Sequence, residues 1–257
     1  SINHEIKDNQ WITTFESFCV AKGNSSNKTK EINRETKKNL PPKKAEKDPI
    51  DTTDPNPDTE LPTPKDITDN DLKGFNFHKI PDQENSKNNN YRSAQLTSQL
   101  LADVIKKYNI KNIIRFNGDS GWKEKNGKKY YSHDGDSQRG GEEVSRAREK
   151  EICEANGCKS YVLSSTSDQS KVNALLNEGN TLIHCAHGAD RTGGNVGGWI
   201  YSKGKLSTKE IWTYTTQYNS WNKMIKDNPS KFESGGYLTQ SKKFGVKDLD
   251  DAKKLAK

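Results

Sequence analysis

Seven of the nine prolines of this chain (Pro41, Pro42, Pro49, Pro55, Pro57, Pro62 and Pro64) fall between residues 41 and 64, and no other feature limits the fold so strongly. Proline fixes φ and removes a backbone donor, so neither a helix interior nor a central strand accepts such a run. The surrounding tract, residues 24–70, is almost free of large apolar side chains. Its basic stretches (Lys28, Lys30, Lys43, Lys44) give way to acidic ones (Asp48, Asp51, Asp54, Asp58). Such a composition cannot bury enough apolar surface to offset the entropy of ordering, and its prolines favour an extended form. Residues 24–70 are therefore expected to be a flexible linker, and a packed domain has to lie downstream.

The whole-chain figures agree. Hydrophobic residues make up only 29% of the 257 positions and charged residues 30%, against an apolar share of about 45–50% in ordinary globular domains. No run approaches the roughly 20 apolar residues that span a bilayer, and no signal peptide is visible at the start. Four cysteines (Cys19, Cys153, Cys158, Cys185) are too few for a disulfide scaffold. None forms a Cys-x-x-Cys pair, so no structural zinc site is expected. A net charge of +7 favours anionic partners such as phosphorylated groups or nucleic acid, although a lysine- and asparagine-rich coding bias explains the bulk charge equally well.

Ahead of the linker, residues 1–23 hold Trp11-Ile12-Thr13-Thr14-Phe15 and Phe18-Cys19-Val20, β-branched and aromatic runs that suggest one or two strands. So short a piece makes no core of its own and is expected either to dock on a partner chain or to be the end of a larger β domain. From about residue 71 the pattern alternates strands with helices. Phe75, Phe77 and Ile80 alternate as in a strand. Thr97 can cap a helix carrying Leu100, Leu101, Val104, Ile105 and Tyr108. Residues 110–116 read as a buried strand, 118–141 as a surface excursion, and 142–156 as a helix stopped at Gly157. A strand at 161–163, a helix at 170–177 and a strand at 181–184 follow. Helices at 192–203 and 208–222 come next, the second opened by the capping box Ser207-x-x-Glu210. The repeated alternation predicts an α/β fold, a mostly parallel central sheet flanked by helices. The domain is expected over 71–245, with 246–257 a polar tail or solvated helix.

One segment carries chemistry: His184-Cys185-Ala186-His187-Gly188-Ala189-Asp190-Arg191-Thr192-Gly193-Gly194. A strand would deliver Cys185 into a tight loop that turns straight into a helix. Successive N–H groups of such a loop (186–191) form an anion nest at a helix N-terminus, with Gly188 allowing close backbone approach and Arg191 able to bind two oxygens. That field would favour the Cys185 thiolate, a nucleophile, and Thr192 could donate its hydroxyl to the sulfur. Taken alone, Cys185 would read as a buried core cysteine; the arginine six residues on and the glycine between reverse that.

His-Cys-x5-Arg-Thr resembles the signature of cysteine-dependent protein tyrosine and dual-specificity phosphatases. Tyr91-Arg92-Ser93-Ala94-Gln95 and Ile110-Lys111-Asn112-Ile113-Ile114 are similar to the opening of bacterial and plant/fungal atypical members. The matches span residues 74–225. The resemblance implies phosphomonoester hydrolysis through a phosphocysteine on Cys185, no cofactor or metal, and a phosphorylated protein or other phosphomonoester as partner; the expected location is a reduced, cytoplasmic compartment or a virion. It also implies a general acid on a loop ahead of the nucleophile. Asp168 lies in that topological place, though 17 residues upstream is a short spacing, and a helix N-cap explains it nearly as well. Asp190 is the rival; Asp-Arg-Thr resembles phosphoinositide phosphatases, and a carboxylate orienting loop amides is its plainer role. His184 would hold the loop and tune the thiolate, or simply pack at the strand end. His187, Ala186, Gly188 and Ala189 would line the substrate oxyanion; Cys-x-His-Gly is also similar to RNA 5′-triphosphatases, which keeps RNA among the substrates. Arg92 could touch substrate, but a salt bridge holding the first strand is its expected role. Phe116-Asn117 departs from the family's Leu-Arg. Weaker acid function would leave a phosphate-binding pseudophosphatase. The run around Trp11, under a tenth of the chain, resembles tailed-phage baseplate proteins, which suggests a virion component carrying a passenger domain.

Overall fold

The computed structural model describes residues 60–81, 89–125, 128–133 and 144–257. The expected strands of residues 1–23, and the linker as far as residue 59, lie outside the described residues. A five-stranded sheet runs in the order β1-β2-β7-β3-β6. It is built from β1 (His78–Ile80), β2 (Asn90–Ser93), β3 (Asn112–Arg115), β6 (Lys159–Val162) and β7 (Thr181–His184). Only β1 is antiparallel to its neighbour; β2, β7, β3 and β6 are mutually parallel. The strand that ends at the cysteine therefore occupies the middle of the sheet, hydrogen-bonded on both sides. This is the α/β, mostly parallel architecture the sequence predicts.

Both faces of the sheet are covered, as a parallel sheet requires. Neighbouring residues point to opposite faces, so Ile113 and Leu182 join one core and Ile114 and Ile183 the other. The first core is closed by α1 (Ser98–Lys107) and α2 (Arg146–Ala155), through Leu101, Val104, Ile105 and Ile152. Thr97 Oγ1 accepts from the Leu100 N–H at 3.2 Å and caps α1. The second core is larger. It lies under α3 (Gln169–Glu178), α4 (Asp190–Ser202), α5 (Thr208–Thr215), α6 (Trp221–Asp227), α7 (Pro229–Ser234) and α8 (Tyr237–Lys242). Trp199, Trp212, Tyr214 and Trp221 fill it, so these aromatics are core.

Several boundaries differ from expectation. The helix expected over 208–222 is two: α5 keeps its capping box, in which Ser207 Oγ accepts from Glu210 N, and breaks before α6. Phe75 sits in a turn that brings Asn76 to φ +49°, and the strand begins only at His78. Within 118–141, β4 (Asp119–Lys125) and β5 (Lys128–His133) pair as an antiparallel hairpin. The helix expected from residue 142 begins at Arg146; residues 142 and 143 lie outside the described residues. Gly157 has φ +69° just past α2. Asp248 caps a last helix, α9 (Leu249–Leu255), whose Ala252 is buried in the second core together with Val246. Residues 60–67 run along α1 and α2: Lys65 N–H donates to Asp103 Oδ1 at 2.6 Å, and Thr63 O accepts from Gln99 Nε2 at 2.8 Å. No helix among the described residues is long and apolar enough to cross a membrane.

Candidate active site

β7 ends at His184, and Cys185 follows with its side chain 3% exposed. The chain then turns through residues 186–189 into α4. Every carbonyl of this turn is taken up from outside it. Cys185 O faces His184 Nδ1 at 3.4 Å, Ala186 O accepts from Gln95 N–H at 3.1 Å, and Ala189 O accepts from Gly193 N–H at 2.9 Å. Asn76 Nδ2 reaches His187 O at 3.3 Å and Gly188 O at 3.2 Å, and Arg92 Nη2 donates to Gly188 O at 3.1 Å. In a trans peptide the N–H points opposite to the preceding C=O. Carbonyls drawn outward therefore aim the following N–H groups into the turn. No acceptor among the described residues hydrogen-bonds the N–H of Ala186, Gly188, Ala189 or Asp190. Converging amides at the start of a helix make a cradle for an oxyanion.

Gly188 is required here. It sits at φ +66°, and a Cβ on it would lie 2.3 Å from the Ser93 carbonyl carbon, a backbone atom that cannot give way. Arg92, fully buried, lies with its guanidinium 4.7 Å from the Tyr218 ring centre and 5.8 Å from that of Tyr214. Among the described residues it forms no salt bridge; its work is to hold Gly188 O, which replaces the expected ion pair.

The expected site residues other than Asp168 lie at this turn. Thr192 Oγ1 donates to Cys185 Sγ at 3.2 Å. Arg191 follows at the start of α4, half-buried, with Nη1 3.5 Å from Phe116 O. Asp190 Oδ1 accepts a 2.6 Å bond from Trp221 Nε1. Burial pushes the Asp190 carboxyl up, against the opposing pull of the Trp221 bond, His187 and Arg191. Asp168 bonds within its own loop. Its Oδ2 accepts from Ser164 N–H at 2.7 Å within its own loop. Its backbone carbonyl, rather than its side chain, opens α3 by accepting from Val172 N–H at 3.0 Å. That loop is itself tied down, since Asn195 Nδ2 donates to Ser165 O at 3.0 Å.

Two charged residues that sequence reasoning missed lie behind the turn. Glu149 of α2 is fully buried between His184 and Arg115. His184 Nε2 is 2.7 Å from its Oε1, and Arg115 Nη1 is 2.8 Å from its Oε2. Burial alone would raise the Glu149 carboxyl, but the charges of His184 and Arg115 outweigh it and lower it to about 2. Arg115 also bonds Asn117 O through Nε at 2.8 Å and Val144 O through Nη2 at 3.0 Å, the two feet of the hairpin excursion. The signal was present in the sequence: Arg115 interrupts the apolar run 110–116, and Glu149 shares a helical face with Ile152 and Cys153. Charges on buried faces must find each other.

The fold is an α/β one with a mostly parallel sheet, and the turn that follows its central strand holds Cys185 with the Thr192 hydroxyl at its sulfur. No family model matches the chain, and no curated protein matches it. Among solved structures, TpbA of P. aeruginosa is similar at 17% identity and a TM-score of 0.36, covering 76% of this chain and 96% of that one. A cysteine-to-serine TpbA variant in complex with pTyr aligns at 16% identity and a TM-score of 0.34, over 63% of this chain and 82% of its own. The catalytic core of Siw14 aligns at 16% identity and a TM-score of 0.38, over 77% of this chain and 94% of its own.

Proposed function

We propose that the chain is a cysteine-dependent phosphatase that hydrolyses phosphomonoesters through a phosphocysteine on Cys185. The observation that carries this reading is the outward capture of the loop carbonyls, which turns the loop amides toward the space above a buried cysteine. In the first step Cys185 Sγ attacks phosphorus while the loop amides and Arg191 hold the non-bridging oxygens. Donors already in place for the developing charge would be the largest contribution to rate. The leaving oxygen takes a proton from a carboxylic acid as its bond to phosphorus breaks. In the second step water attacks the phosphocysteine, giving inorganic phosphate and regenerating the thiolate, whose departure the Thr192 hydroxyl assists.

Two observations favour Asp190 over Asp168 as the acid. Burial raises its pKa, which suits a group that must enter the reaction protonated. Asp168 instead commits Oδ2 to the Ser164 N–H within its own loop.

Release of p-nitrophenol from p-nitrophenyl phosphate between pH 5 and 7.5, without added metal, tests the reading. Turnover is expected in the native chain and none in Cys185→Ser. Asp190→Asn should lower kcat by about 100-fold or more and remove the loss of activity as pH rises, whereas Asp168→Asn should leave that limb in place. Vanadate binding without turnover would replace the enzyme with a phosphate-binding pseudophosphatase. The absence of both turnover and vanadate binding would overturn the reading.

A further inference from the structure

We propose that the chain holds a small monovalent anion, a halide such as chloride, in a buried site on Arg92, Thr215 and Asn219. The site lies on the outer side of the cysteine turn, and the proposal stands without the reaction proposed at Cys185. Arg92 is fully buried, and a buried charge is costly unless it is paired. Among the described residues no carboxylate pairs with it. Its Nη2 donates to Gly188 O at 3.1 Å, and the ring centres of Tyr218 and Tyr214 lie 4.7 and 5.8 Å from the guanidinium carbon. A carbonyl dipole and two ring faces supply partial negative charge but no counter-charge. Nε and Nη1 are both buried and have no acceptor.

Two further buried groups beside Arg92 are left over. Thr215 Oγ1, at the end of α5, and Asn219 Nδ2, in the turn that follows, hydrogen-bond nothing among the described residues. Gly193 of α4 shows that they share one place with Arg92. A Cβ on it would lie 3.0 Å from Thr215 Cγ2, 3.5 Å from Arg92 Nη2 and 3.7 Å from Asn219 Nδ2. The three residues therefore border the spot that this glycine leaves open. Asn219 Oδ1 accepts from the Trp221 N–H at 3.0 Å, which commits the acceptor end of the amide and leaves its donor end over. Guanidinium and amide nitrogens can only donate, and a hydroxyl can donate. Buried donors left without acceptors in one cluster call for a ligand. Water would satisfy the donors and leave the charge; an anion answers both. The space beside one glycine suits a single-atom ion rather than a phosphate or a carboxylate.

Bromide locates the ion without any substitution. Crystals of the full chain grown in sodium bromide should show an anomalous-scattering peak in contact with Arg92 and Asn219. Water alone at that place, or nothing, would overturn the proposal. Thermal unfolding gives a second test, at constant ionic strength, with sodium chloride exchanged for sodium gluconate, whose anion is too large for the site. An ion bound only by the folded chain stabilises it by mass action, so chloride should raise the native Tm by about 2–4 °C. Asn219→Asp keeps an acceptor for the Trp221 N–H and sets a carboxylate beside Arg92 where the leftover donor stood. Its Tm should not respond to chloride. Equal native Tm values in the two salts, or a chloride response in Asn219→Asp as large as in the native chain, would overturn the proposal. Turnover of p-nitrophenyl phosphate is read separately, so the phosphatase reading stands or falls on its own.

Discussion

At the scale of single residues, the site divides into groups whose type announces their work and groups whose work depends on a distant partner. Cys185, Gly188, Arg191 and Thr192 belong to the first kind, because thiol, close turn, guanidinium fork and hydroxyl lie within one short stretch of chain. Arg92, Asn76 and Glu149 belong to the second. Each acts on a loop 35 or more positions away, and nothing local names the contact. Asp190 shows what such a context does to an ordinary carboxyl. Its pKa is raised in the folded chain by burial, so the folded state holds the proton more tightly than the unfolded one. The charged form therefore carries a penalty that grows as pH rises from the unfolded value of 3.8 through the folded value, and is complete above it. Asp190→Asn keeps an oxygen for Trp221 Nε1 and removes the charge. Urea unfolding should find this variant more stable than the native chain at pH 7 and indistinguishable from it at pH 3. Equal stabilities at both pH values would contradict the burial argument.

At the scale of elements, strands were more legible than helix limits. Residues 181–184 read as a strand because a fully buried parallel strand is a short continuous apolar run, and β7 occupies those residues. The 208–222 pattern read as one helix because its aromatics keep helical spacing across a break. What splits it is the turn at residues 216–220, which brings the side chain of Tyr218 over Arg92; a side chain's long-range partner leaves no mark on local periodicity. α4 was legible as a helix yet not as a packing surface. Its Gly193, Gly194, Gly197 and Gly198 look unfavourable in a helix interior, but they let α8 and the start of α3 approach closely. A Cβ at Gly194 would meet Gln240 Oε1 at 2.4 Å, one at Gly198 would meet Gln169 Oε1 at 2.7 Å, and one at Gly197 would meet the Phe244 ring at 2.5 Å. Gly197→Ala gains helix propensity but forces a buried aromatic to move. Overpacking of this kind costs about 1–3 kcal/mol, which outweighs the propensity gain of about 1 kcal/mol. Thermal unfolding should therefore show a lower Tm for Gly197→Ala; a rise would mean that Phe244 shifts freely.

At the scale of the whole molecule, the two cores meet at the sheet, and one buried charge cluster joins them at the carboxyl end of its central strands. Glu149 comes from a helix on one face, Arg115 and His184 from the ends of β3 and β7, and Cys185 packs into the opposite core. Stability depends here on one carboxylate, that of Glu149. Its pKa falls from 4.5 in the unfolded chain to about 2 in the folded one. The stabilisation this supplies is present in full above pH 4.5 and is lost as pH falls toward 2, because the unfolded chain then takes up a proton the folded chain still refuses. Asp190 has the opposite sign, so the steepest acid loss belongs to Glu149. The native chain should lose unfolding free energy across this window, read as a falling urea midpoint from pH 5 to pH 2. Glu149→Gln strands Arg115 in the core without a carboxylate, a change that costs about 3–5 kcal/mol in buried pairs. That variant should therefore start lower at pH 7 and lose much less between pH 5 and 2. Parallel curves for the two chains would show that the acid sensitivity lies elsewhere and that the buried cluster does not govern it.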